Sequence, residues 1–152
     1  MTEQKTIHLT IDNQSVSVPD GTTIWEAARS IGIDIPTLCH DPKLDPVAVC
    51  RVCAVEVENA RTFPAACIRT VEKDMVVKTN TEQVHRTRGT LVEMLMAEHP
   101  TPCRQHEDTG DCELELLAEE LGVLTPRFES AHPAPLTQGK APDHSSAVIE
   151  VD

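Results

Sequence analysis

The 152-residue chain carries 25 acidic against 13 basic residues, a formal charge of −12, and only 2% aromatic residues with no tyrosine. That balance argues against nucleic acid as a partner, because phosphate neutralisation needs a basic patch, and it leaves aliphatic side chains to fill any core. No apolar run approaches the roughly 20 residues of a membrane span. Residues 1–11 show no basic segment followed by an apolar stretch, so the expected location is cytoplasmic. Cytosolic thiols stay reduced, so the six cysteines point to metal or cluster binding rather than to a disulfide framework.

In chain order, Ile7, Leu9 and Ile11 alternate with polar residues, as do Val16 and Val18, and Asp12-Asn13 between them is a turn signal. The pattern predicts a β-hairpin. Pro19-Asp20-Gly21 marks a second turn. Thr22 or Thr23 then caps a helix reaching about Ser30, with Glu26 at capping-box spacing from Thr23 and Gly32 as the stop. Residues 33–50 are Pro-punctuated and read as an irregular loop. Alternation returns at residues 53–58 and 75–78, and residues 63–67 suggest another short strand. Helices follow over 81–98 and 113–121, the second from Leu114, Leu117 and Leu121 at i, i+3 and i+7. From residue 125 the chain is rich in Pro, Ser, His and Ala and reads as an extended arm, with a strand-like run at 147–151. Two hairpin strands, a helix and further short strands imply an α+β fold with a sheet packed on one helix.

Cys39, Cys50, Cys53 and Cys67 have the spacing C-x10-C-x2-C-x13-C. Four thiolates, two per iron, are what a [2Fe–2S] cluster requires, and the Cys50–Cys53 knuckle reaches adjacent metal positions from one tight loop. Two other readings stand beside it. Four cysteines also make a tetrahedral zinc site, although such sites more often pair two short C-x2-C knuckles. Free cysteines also pack as small hydrophobes. His40, next to Cys39, raises a Rieske-type set, but only one histidine lies here and four cysteines are already present.

The stretches 34–42, 46–58 and 64–67, continuing through Met75–Thr79 and the following helix to about Val123, resemble a known family. It comprises the N-terminal regions of the large iron–sulfur subunit of NADH dehydrogenase, the α subunit of NAD-dependent formate dehydrogenase, the diaphorase small subunit of NAD-reducing hydrogenase, and iron-only hydrogenase. The resemblance implies a β-grasp, ferredoxin-like domain over residues 1–80 with the four cysteines as [2Fe–2S] ligands. It implies a helical His/Cys segment over 81–124 and leaves 125–152 as the extended arm. Ala48 stands where that family usually has Gly, a residue that permits positive φ.

The same family shows H-x3-C-x2-C-x5-C after the long helix, ligating a [4Fe–4S] cluster. This chain keeps the spacing as His99, Cys103, His106 and Cys112, with His106 in the place of the third cysteine. Ligation by His106 would remove a thiolate charge and raise the potential. Two histidines and two cysteines also suit zinc, the site could hold nothing, and His99 could instead serve the helix C-terminus.

Arg51, between two candidate ligands, is expected either to donate toward the cluster or to face solvent, and Trp25 to pack on the sheet. No Gly-rich phosphate loop, nucleophile elbow or dinucleotide fingerprint occurs, so no catalytic residue is assigned. The expected role is a single-electron relay in an NAD(H)-linked complex. Its partners would be a flavin- and NAD-binding subunit and a catalytic subunit. In the resembling proteins the chain runs on into a two-cluster ferredoxin segment, so a longer subunit and a stand-alone relay both fit. The other function classes are a zinc-stabilised interaction module and an assembly or scaffold subunit that has lost the second cluster.

Overall fold

The computed structural model describes residues 5–100, 102–123 and 125–128. The strand-like run at 147–151 and most of the arm lie outside them.

Strands β1 (Thr6–Ile11) and β2 (Gln14–Pro19) form the expected hairpin. Asp12 and Asn13 both take positive φ, 46° and 66°, the backbone that a two-residue hairpin turn requires and that Asp and Asn tolerate. The register sets Ile7 opposite Val18 and Leu9 opposite Val16, so the apolar positions of both strands share one face. That face is buried, and Ile11 is fully so.

Helix α1 (Ile24–Ser30) begins at an N-cap on Thr23 with a complete capping box to Glu26. Its Ile24, Ala27 and Ala28 are fully buried. Its first turn is bonded to the loop that carries Cys67: Trp25 N–H donates to the Ala66 carbonyl at 3.0 Å and Ile24 N–H to the Arg69 carbonyl at 2.8 Å. The helix therefore fixes both the core face and the position of that loop.

Two short strands, β3 (Glu56–Val57) and β4 (Val76–Lys78), complete a four-stranded mixed sheet of order β2-β1-β4-β3. β4 runs parallel to β1 and antiparallel to β3. The hairpin turn is tied to the end of β4, because the Asp12 carboxylate accepts from both the backbone N–H and the hydroxyl of buried Thr79. Two expected strands are shorter or absent. Of residues 53–58 only two are strand, and residues 63–67 make a single bridge, Ala54 to Ala65. The two segments bond chiefly to each other rather than extending the sheet.

Helix α2 (Glu82–Glu98) is capped by Thr81. It is followed by α3 (Arg104–Thr109) and α4 (Glu113–Glu120). α3 is not legible in the sequence, since Arg104–Thr109 is wholly polar and has no apolar repeat. α2 and α4 pack around a second apolar cluster of Val52, Val92, Leu117 and Ala118. Val52 is fully buried there although it belongs to the Cys50–Cys53 knuckle. One side chain thus joins the sheet unit to the helical unit.

Beyond α4, Arg127 returns to α2. Its backbone N–H and guanidinium donate to the carboxylate of buried Glu93 at 2.6–2.7 Å. These hydrogen bonds hold the Glu93 carboxyl below the ordinary value of 4.5. The folded-state value is depressed, so this stabilisation is present above the ordinary value and is lost as pH falls through the lowered folded-state value. Trypsin cleavage after Arg127, followed by mass spectrometry, is expected to be slow at neutral pH and several-fold faster in Glu93→Gln. Equal rates would mean that the clamp does not hold in solution.

Candidate metal centres

The first four cysteines converge, and they do so as two pairs. Cys53 Sγ and Cys67 Sγ lie 3.4 Å apart, both 1% exposed. Cys39 Sγ accepts the backbone N–H of Cys50 at 3.4 Å, and both of these residues are half-buried. Two thiolates sharing one tetrahedral iron, with Fe–S of about 2.3 Å as for zinc thiolates, would sit about 3.8 Å apart. The donor set and its division fit a dinuclear centre, one pair per iron.

Irregular backbone builds this arrangement. Ala48 and Arg51, on either side of Cys50, take positive φ of 51° and 60°. These two left-handed residues turn the chain around the sulfurs. The segment after Cys53 is laced to the segment before Cys67: Val55 N–H donates to the Pro64 carbonyl at 3.1 Å and Ala66 N–H to the Cys53 carbonyl at 3.1 Å. Arg88 of α2, 6% exposed, donates from Nε and a terminal nitrogen to the Ala54 carbonyl at 3.2 and 2.9 Å. Burial lowers the Arg88 value, and the negative charge of Cys53, Glu120 and Asp12 partly restores it. Arg88 falls on the apolar stripe of α2 with Val84 and Val92, four residues from each. A charge on a buried stripe is the one sequence signal that could have singled it out.

The thiols differ in kind. Burial, the hydrogen bond to Cys53 and the neighbouring Cys53, Cys39 and Cys50 charges push the Cys67 thiol up to about 12. At Cys50 burial pulls upward, but hydrogen bonding at Val52, Cys39 and Leu38 outweighs it and the thiol is lowered. Metal-free, Cys67 resists ionisation, and a thiophilic metal is what would hold it as thiolate.

Of the neighbours, Arg51 takes its solvent-facing alternative and Trp25 packs on the core as expected. Arg51 is exposed and donates to the Phe63 carbonyl at 3.3 Å, so its charge lies at the rim. Trp25 packs on the core edge, its indole N–H reaches the Ile35 carbonyl at 3.1 Å, and its ring lies nearly perpendicular to that of His40 with centroids 4.6 Å apart. It therefore pins the loop leading to Cys39.

A second ligand cluster forms where α2, α3 and α4 meet. His99 is the C-cap of α2, and Cys103 and Cys112 are the N-caps of α3 and α4. The ligand atoms of these three residues all lie within 4.8 Å of one another. His99 Nε2 is 3.7 Å from Cys112 Sγ and 3.4 Å from a Glu115 carboxylate oxygen. His106 falls outside that group. Its Nε2 faces Glu119 at 3.8 Å, and its buried Nδ1 has no hydrogen-bond partner among the described residues. Glu115 carried no distinguishing signal in the sequence, because it belongs to a run of helix acids that normally face solvent.

The left-handed Ala48 has a measurable consequence. A residue with Cβ costs about 1 kcal/mol or more in that conformation relative to Gly. Ala48→Gly is expected to raise the chain's stability by about 1 kcal/mol in denaturant melts without changing metal content. A loss of stability would mean that the loop relaxes out of this conformation.

The 2Fe-2S iron-sulfur cluster binding domain family matches residues 4–82. The chain is 43% identical over 121 residues to the NADP-reducing hydrogenase subunit HndD of Solidesulfovibrio fructosivorans, covering 76% of this chain and 20% of that protein. It is 41% identical over 122 residues to an NADH-quinone oxidoreductase subunit of Rhizobium meliloti, covering 80% and 14%. Among solved structures, an NAD+-reducing [NiFe]-hydrogenase in the H2-reduced state matches with a TM-score of 0.77 and 32% identity, over 96% of this chain and 59% of that one. The chain thus spans a fifth or less of the lengths of the first two relatives. With the family matched over more than half of its length, the chain belongs to the 2Fe-2S iron–sulfur cluster binding domain family.

Proposed function

We propose that this chain relays single electrons within an NAD(P)-linked oxidoreductase complex, through a [2Fe–2S] cluster held by Cys39, Cys50, Cys53 and Cys67. The observation that carries the proposal is the arrangement of four thiols as two pairs, one buried and one half-exposed. A single zinc ion would gather four donors about one point and gives no reason for the split.

Such a cluster supplies reversible one-electron chemistry, and the chain supplies position and potential. Burial of Cys53 and Cys67 excludes water from the inner side. The Cys50 N–H, already directed at Cys39 Sγ, donates to an anionic sulfur. The buried Arg88 guanidinium offsets negative charge near Cys53 and favours the electron-rich state. In the loop leading to Cys50, Leu44, Val47 and Val49 stand 64–74% exposed. This apolar rim suits close approach of a partner's redox centre.

We read the mixed sheet with α1 as a β-grasp domain over residues 1–80, followed by the helical segment 81–124 and the arm 125–152. The relatives' names attach them to hydrogenase and NADH-quinone oxidoreductase, so the partners proposed are a nucleotide- and flavin-binding subunit and a catalytic subunit in the cytoplasm. Among the described residues no helix is long and apolar enough to cross a membrane.

The test is spectroscopic. The full chain, reconstituted with iron and sulfide, is expected to be coloured and to take up one electron at a single [2Fe–2S] centre on reduction. Cys53→Ala and Cys67→Ala should each abolish that signal. A colourless, redox-silent zinc protein would overturn the proposal.

A further inference from the structure

We infer that the second ligand cluster is a mononuclear zinc site built from His99 Nε2, Cys103 Sγ and Cys112 Sγ, with Glu115 at its open side and His106 not a ligand. The inference is independent of the [2Fe–2S] reading, since no residue is shared.

The separations decide between one ion and a cluster of four irons. On a cubane each ligand binds its own iron, so the donor atoms are spread by the iron framework between them. On one zinc, with Zn–S of about 2.3 Å and Zn–N of about 2.0–2.1 Å, a tetrahedral N–S pair sits about 3.6 Å apart. His99 Nε2 and Cys112 Sγ are 3.7 Å apart, and all three donors fall within 4.8 Å of each other. The framework of a cubane has no room between them.

The donor count agrees. A [4Fe–4S] cluster held by protein at all four corners takes a fourth ligand, and the residue spaced for it, His106, lies outside the group and faces Glu119 instead. Two thiolates and one imidazole leave a zinc ion one position short of four. The Glu115 carboxylate, 3.4 Å from His99 Nε2 and 20% exposed in its side chain, is placed to supply it by a change of rotamer.

The site is enclosed. Cys103 and Cys112 are each 7% exposed, and the His99 side chain is 15% exposed. It also sits where a staple is useful. α3 has six residues and no buried side chain, so packing alone does not fix it. A zinc ion joining the end of α2 to the starts of α3 and α4 would close the 99–112 loop. It would also hold α4 over Val52, and so the helical unit over the Cys50–Cys53 knuckle.

The experiment measures metal on the full chain, purified anaerobically and incubated with zinc sulfate. The expected content is two irons and one zinc per chain. Cys103→Ser and Cys112→Ser should each lose the zinc while keeping the [2Fe–2S] spectrum, and His106→Ala should keep both. Replacing zinc with cobalt in the unmodified chain should give the ligand-field absorption of a tetrahedral, thiolate-bound ion. Six irons per chain with a second spin system on reduction would overturn the inference. So would zinc absent from the unmodified chain, or zinc lost in His106→Ala. Absence of the two irons with zinc retained would sink the relay proposal and leave this one standing.

Discussion

Four sulfur atoms have to be held together by a stretch of chain with almost no regular structure, and the rest of the molecule is arranged around that demand. The restraint comes from the pairing of residues 53–55 with 64–66 and from three anchors outside it. The first turn of α1 bonds the Cys67 loop, Trp25 pins the approach to Cys39, and Arg88 grips the carbonyl after Cys53. Each anchor is a hydrogen bond in a buried or half-buried place, where a lost partner costs about 1–3 kcal/mol. The loop owes its order to these donors more than to its own contacts.

Val52 couples the two halves. A valine between Cys50 and Cys53 would ordinarily be read as loop filler, yet it is fully buried among α2 and α4 residues. A shift of α4 would be felt at the knuckle through that contact, because a close-packed interior transmits displacement rather than absorbing it. The helix pair and the knuckle therefore form one mechanical unit.

Much of this was legible in the sequence where the signal is local. The hairpin follows from alternation and Asp12-Asn13, α1 from its capping box, and α2 and α4 from the periodicity of their apolar residues. The positive φ at Ala48 accords with the Gly that the resemblance leads one to expect there. What could not be read is non-local. The expected strands shortened because residues 53–55 and 64–66 pair with each other rather than extending the sheet. The burial of Arg88, Glu93 and Val52 depends on partners 34 residues away in the first two cases and on a helix packing in the third. α3 has no apolar period to find. The second site shows the same limit, since spacing grouped four residues and geometry groups three of them, with Glu115 beside His99.

The central claim is that a bridged pair of irons sits inside the Cys39, Cys50, Cys53 and Cys67 cage. X-ray absorption at the iron edge of the full chain addresses it directly. The account predicts a first shell made only of sulfur around every iron, with a second iron as the next neighbour. A first shell containing nitrogen or oxygen, or the absence of an iron neighbour, would contradict it.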